Sequence, residues 1–122
     1  MANPYVPILD RMNHGVGVKG SMVVTGDGVV VATALGHDLE EGRVAAMASS
    51  VIRGTQSALQ ALDGSFDRFI LTAVHGRMVF FDVGPAFVVV LTEKNINLEA
   101  TLLEIDAAAR KIRALGEINI ED

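Results

Sequence analysis

Gly15, Gly17 and Gly20 spell G-x-G-x-x-G, the spacing with which a backbone turn closes around a pyrophosphate. That chemistry needs a strand before the glycines and a helix N-terminus after them, so that backbone N–H groups point at the phosphates. Here the apolar pattern puts a helix before and a strand after, and the segment reads as a helix-to-strand turn. No G-x-x-x-x-G-K-[ST] occurs, so the chain is not itself a P-loop nucleotide hydrolase. His14, His37 and His75 each fall at an expected turn, far apart in sequence and without metal-ligand spacing. No G-x-S-x-G elbow activates a serine. Glu40 and Glu41 suit the start of a helix, and Glu99, Glu104 and Asp106 suit the wet face of another. With no cysteine, thiol catalysis, thiolate metal sites and disulfides are excluded. The expectation is a non-enzymatic chain with no catalytic, cofactor-binding or metal-ligating residue.

Half of the 122 residues are hydrophobic and mean hydropathy is +0.38. That is more apolar surface than a small single domain needs to hide, and it points to a protein–protein interface, often with a second copy. The longest apolar runs have strand length, well short of the roughly 18 residues that span a bilayer. The first residues, Met1 to Tyr5, do not read as a secretion signal. Net charge is −5 with no basic cluster, which argues against nucleic acid, and aromatics at 5% offer no base-stacking platform. Cysteine-free composition fits a reducing compartment, and the expected location is the cytoplasm without membrane insertion.

The elements that frame these residues can be followed along the chain. Val6, Ile8, Leu9 and Met12 predict a short helix stopping near Gly15, with Pro7 tolerated in its first turn. Two β-branched runs, Val18–Val24 and Val29–Ala34, flank Thr25-Gly26-Asp27-Gly28, a hairpin signal. Asp38 with Glu41 resembles a capping box opening a helix to about Leu62, closed by Asp63-Gly64 with Gly64 left-handed. Strands are expected at Phe69–Val74, Met78–Val83 and Ala86–Leu91, joined too tightly for crossover helices and hence antiparallel. Their runs are apolar on both sides, so both sheet faces are covered. A last helix starts at the Asn97 cap, buries Leu98, Leu102, Ile105, Ala109 and Ile112, and ends at Gly116 before an acidic tail, 117–122. The result is one α+β domain over residues 1–122, with a core at about 4–116 and element order αββαβββα.

The central helix carries two different faces. Val44, Met47, Ala48, Val51, Ala58, Leu59 and Leu62 are expected to pack on the sheet. Ala46, Ser50, Gly54, Ser57 and Ala61 form a row of small residues that would let a second helix backbone approach closely. Gly54 costs about 1 kcal/mol against Ala inside a helix, and a close helix contact would offset it. Arg43 and Arg53 border the row and are candidate partner-binding residues, since the planar guanidinium makes several hydrogen bonds at once. The plain alternative is two solvated arginines beside a solvent face.

In order, these segments resemble the roadblock/dynein light chain family. Val18-Lys19-Gly20-Ser21-Met22-Val23-Val24 with Asp27-Gly28-Val29-Val30-Val31-Ala32 is similar to that family's opening hairpin, and Ala45-Ala46-Met47-Ala48-Ser49-Ser50 to its long Ala- and Ser-rich helix. Arg68-Phe69-Ile70-Leu71, then Gly76-Arg77-Met78-Val79-Phe80-Phe81-Asp82-Val83-Gly84, resembles the next hairpin, and Phe87 to Thr92 with the leucine-patterned last helix completes the likeness. It spans Val6 to Leu115 and rests on size and polarity rather than on any invariant residue. It implies a roadblock/profilin-like α/β sandwich: a five-stranded antiparallel sheet with helices on both faces. It also implies a homodimer in which the small-residue helices meet and the third strands, Phe69, Ile70, Leu71, Thr72, Ala73 and Val74, pair across a two-fold axis. That strand lacks the charges or proline that protect a free edge. The family's roles are to regulate or scaffold small Ras-like GTPases or to serve as motor-complex light chains. The expected partners are therefore a second copy and a small Ras-like GTPase. A structural adaptor without a GTPase, and a small-ligand or enzymatic domain on a profilin-like sheet, are the alternatives.

Overall fold

Five runs rich in β-branched and aromatic residues build the sheet, and three apolar-striped segments build the helices around it. The computed structural model describes residues 3–121. Its elements are α1 (Val6–Met12), β1 (Val18–Val24), β2 (Val30–Leu35), α2 (Glu41–Gln60), β3 (Arg68–Thr72), β4 (Arg77–Asp82), β5 (Phe87–Thr92) and α3 (Leu98–Glu121). The order αββαβββα is as expected. The strands form one antiparallel sheet in the order β2-β1-β5-β4-β3, which puts β5 at the centre and leaves β2 and β3 as edges.

Side chains alternate between two cores. On one face α1 and α3 pack over Val23, Val79, Phe81, Val88 and Val90, and contribute Leu9, Met12, Ile105, Ala109 and Ile112. On the other face α2 brings Val44, Ala45, Ala48 and Ile52 down on Met22, Val24, Phe80, Phe87 and Val89. Every residue of β5 is buried, so both faces are covered. The second core carries an aromatic row: Phe69 stacks on Phe80 at 4.3 Å between centroids, and Phe66 stacks on Phe87 at 5.6 Å and meets Phe69 edge-on at 4.7 Å.

Several boundaries differ from expectation. The cap of α2 is Glu40, not Asp38; its carboxylate accepts from the backbone N–H of Gly42 at 3.1 Å and of Arg43 at 3.0 Å. Its two oxygens satisfy two otherwise unpaired N–H groups at the positive end of the helix. At the other end α2 stops at Gln60, and Asp63, not Gly64, takes the left-handed conformation at φ 54° while the Gly64 N–H donates to the Leu59 carbonyl at 2.8 Å. In the first hairpin only Gly28, at φ 92°, is left-handed. Strand β3 starts at Arg68 and ends at Thr72, so Ala73 and Val74 belong to the following turn. Asn97 does cap α3, accepting from the Ala100 N–H at 3.2 Å. The helix continues through Gly116 to Glu121, because one glycine costs only about 1 kcal/mol in an established helix. The expected tail at 117–122 is thus helical as far as Glu121, and Asp122 lies outside the described residues.

Candidate interaction surface

The inward face of α2 is not the one that its largest apolar residues suggest. Val44, Ala45, Ala48, Ser49 and Ile52 are buried, while Met47 is 46% exposed, Leu62 78% exposed and Ala58 also exposed. Small residues face the sheet because the helix sits close to it. A Cβ on Gly28 of the β1–β2 turn would lie 3.3 Å from Ser49 Oγ. Ala45, Ser49 and Ile52 are therefore core positions that the helical spacing did not flag; Met47 and Ala58 belong to the outer face, and Leu62 is exposed in the turn after α2.

That correction enlarges the outer face. Ala46, Ser50, Gly54, Ser57 and Ala61 are all exposed, and with Met47 and Ala58 they make one strip of small and apolar side chains along the helix. A Cβ on Gly54 would meet nothing within 4 Å. Arg43 and Arg53 are also exposed. Arg43 makes only a loose 3.9 Å contact with Glu40. Arg53 sits above the β1–β2 turn, where Asp27 is held below the usual carboxylate range by the Thr25 hydroxyl first, by its own backbone N–H, and to a lesser degree by the Arg53 charge.

The two sheet edges are not equivalent. Edge β2 carries a bulge where its register with β1 shifts at Val23/Val24, and two side-chain amides hold its carbonyls: Asn3 Nδ2 donates to Val31 O at 2.7 Å and Asn13 Nδ2 to Ala34 O at 2.6 Å. A bulge blunts an edge against further strand pairing. Among the described residues, edge β3 has no strand on its outer side. Phe69 and Ile70 are half-buried; Leu71, Thr72, Ala73 and Val74 are exposed. Helix α2 runs nearest β1 and β2, so Leu71, on the same face of the sheet, stays 42% exposed. At the start of β3, Leu59, Phe66, Phe69, Arg68, Arg110 and Arg113 border a cleft of about 830 Å³. Asp67, Asp82 and Asp106 balance its arginines, with Asp106 paired to Arg110 at 3.0 Å. Nothing in the sequence pointed to this cleft, because its residues come from α2, the α2–β3 loop, β3, β4 and α3.

An antiparallel five-stranded sheet with one long helix on one face and two helices on the other is the α/β sandwich of roadblock-type domains. The chain belongs to the Roadblock/LC7 domain family, whose model matches residues 7–92. It is 33% identical over 109 residues to MJ1340 of Methanocaldococcus jannaschii, covering 88% of this chain and 96% of that one. In structure it is similar to MglB of Myxococcus xanthus, with a TM-score of 0.85 at 15% identity over 93% of this chain and 87% of that one. It is likewise similar to the gliding protein MglB of Thermus thermophilus, with a TM-score of 0.81 at 15% identity over 93% and 88%. Among the described residues no helix is long and apolar enough to cross a membrane.

Proposed function

We propose that the chain is a homodimeric, non-catalytic platform that binds a small Ras-like GTPase in the cytoplasm. One observation carries the reading: the exposed small-residue strip of α2 lies on the same side of the sheet as Leu71 of the open edge β3, while the opposite edge is bulged. Close helix approach and strand pairing need the features found together here. Membership of the Roadblock/LC7 family supports the GTPase half of the proposal, because regulation and scaffolding of such GTPases is what the family resemblance implies. Arg43 and Arg53, both exposed beside the strip, are the proposed partner-binding residues.

The test has two arms. Sedimentation of the purified chain should give twice the protomer mass. Pull-down from the native cell should recover a small GTPase, whose nucleotide hydrolysis or exchange rate changes when the chain is added. A dimer that recovers only other proteins and alters no GTPase would leave a structural adaptor as the reading.

A further inference from the structure

The hydrogen-bond pattern of β3 determines how a second copy must meet it. The Asp82 N–H donates to Asp67 O at 2.9 Å and the Ala73 N–H to Gly76 O at 2.8 Å. Hydrogen-bonded pairs alternate along an antiparallel ladder. With the register Arg68↔Phe81 through Thr72↔Arg77, the backbone groups of Asp67, Phe69, Leu71 and Ala73 turn toward β4. Those of Arg68, Ile70 and Thr72 turn toward the open edge. Side chains alternate in step: Phe69 packs in the α2-side core and Ile70 in the opposite one.

A second β3 joined by a two-fold axis must place outward residues opposite outward residues. Three registers about the middle of the strand do so. One centres on Phe69 and sets Leu71 against the Asp67 carboxylate of the other copy. One centres on Leu71 and moves Arg68 opposite Val74, which lies in the turn beyond the strand. The third centres on Ile70. It alone uses all three outward residues of each five-residue strand, as Arg68↔Thr72, Ile70↔Ile70 and Thr72↔Arg68. It also sets Phe69 opposite Leu71 of the second copy, twice, as a closely spaced pair on the α2 side. Leu71 would then extend the stacked Phe69–Phe80 pair and lose its exposure.

We infer that two copies of this chain join with Ile70 on the two-fold axis and Phe69 packed against Leu71 of the other copy. The inference rests on the proposed homodimer and adds its register. It yields a ten-stranded sheet with both α2 helices on one face. Its outer edges are the two β2 strands, each broken by the bulge opposite Val23/Val24, which disfavours addition of a further strand.

The absence of cysteine makes the register directly measurable. A disulfide forms when Cα atoms lie about 4.4–6.8 Å apart. Opposed residues meet that limit, whereas residues displaced by two along the partner strand lie about 7–8 Å apart and do not. Under mild oxidation Ile70→Cys should cross-link to itself, while Phe69→Cys and Leu71→Cys should each remain uncross-linked alone. An equal mixture of Arg68→Cys and Thr72→Cys, both at exposed sites that tolerate substitution, should give a mixed cross-linked dimer after subunit exchange. Self-cross-linking of Leu71→Cys or Phe69→Cys in place of Ile70→Cys would overturn the register. A dimer in which neither Ile70→Cys nor the Arg68→Cys/Thr72→Cys mixture cross-links would overturn the strand joint. A wild-type chain that sediments as a monomer would instead remove the homodimer itself.

Discussion

The Ser21 hydroxyl, fully buried in β1, donates to Asn13 Oδ1 at 2.8 Å. Through its other side-chain atom Asn13 donates to the Ala34 carbonyl on β2, so the residue that ends α1 ties two strands together. A buried hydroxyl left without a partner costs about 1–3 kcal/mol. Asn13→Leu is therefore expected to lower the unfolding free energy by about that amount, measured by urea denaturation. Ser21→Ala in the same background should recover part of the loss, because it removes the orphaned hydroxyl.

Gly54 separates folding from assembly. Its Cβ position is open, so Gly54→Ala should stabilise the isolated protomer by up to about 1 kcal/mol, seen in thermal unfolding at high dilution. Gly54→Leu should keep the same circular dichroism but sediment as a monomer at concentrations where the wild type is dimeric. A Gly54→Leu chain that remains a dimer would take the small-residue strip out of the proposed interface.

Gly17 is the opposite case. It has φ +81°, and a Cβ there would lie 2.2 Å from Ile96 Cγ2 in the loop before α3. A side chain held in the left-handed region costs on the order of 1–3 kcal/mol before any clash. Gly17→Ala should therefore depress the melting temperature clearly, whereas Gly54→Ala should not.

Asp27 supplies a pH signature. Its carboxyl is held below the ordinary 3.8, chiefly by the Thr25 hydroxyl. A depressed folded value stabilises the chain above the unfolded value, and that contribution disappears as pH falls through the lower folded one. Thr25→Val should move the Asp27 titration midpoint upward toward 3.8 in an NMR titration. Arg53→Ala should move it less, because its charge is the weakest of the influences that lower it.

Element order and strand pairing were legible because β-branched runs, glycine breaks and short connections leave few ways to pair; β1 begins and ends where its pattern does. The phase of α2 was not. Apolar residues spaced by threes and fours sent Met47, Ala58 and Leu62 inward, yet a helix lying close on the sheet turns Ala45, Ser49 and Ile52 toward it beside the expected Val44 and Ala48. The Glu40 cap was hidden by Asp38, because the point where the chain turns into the helix depends on where β2 ends in space. That Ala46, Ser50, Gly54, Ser57 and Ala61 share one face with Arg43 and Arg53 beside them could be read in advance, since it follows from helical spacing alone. Asn3 and Asn13 could not: an asparagine beside a helix looks like an ordinary terminus, and their strand partners lie 28 and 21 residues away.

The chain has no tryptophan and a single tyrosine, Tyr5, packed on the α1–α3 side, where a Cβ on Gly116 would lie 3.9 Å from its hydroxyl. The Phe66, Phe69, Phe80 and Phe87 row lies on the α2 side. The tyrosine and four of the five phenylalanines thus lie on opposite sides of the sheet, with Phe81 on the tyrosine's side. Tyrosine emission reports the α1–α3 layer alone, phenylalanine fine structure in the near-ultraviolet is weighted toward the other, and a visitor settling on α2 would disturb the second signal while leaving the first unchanged.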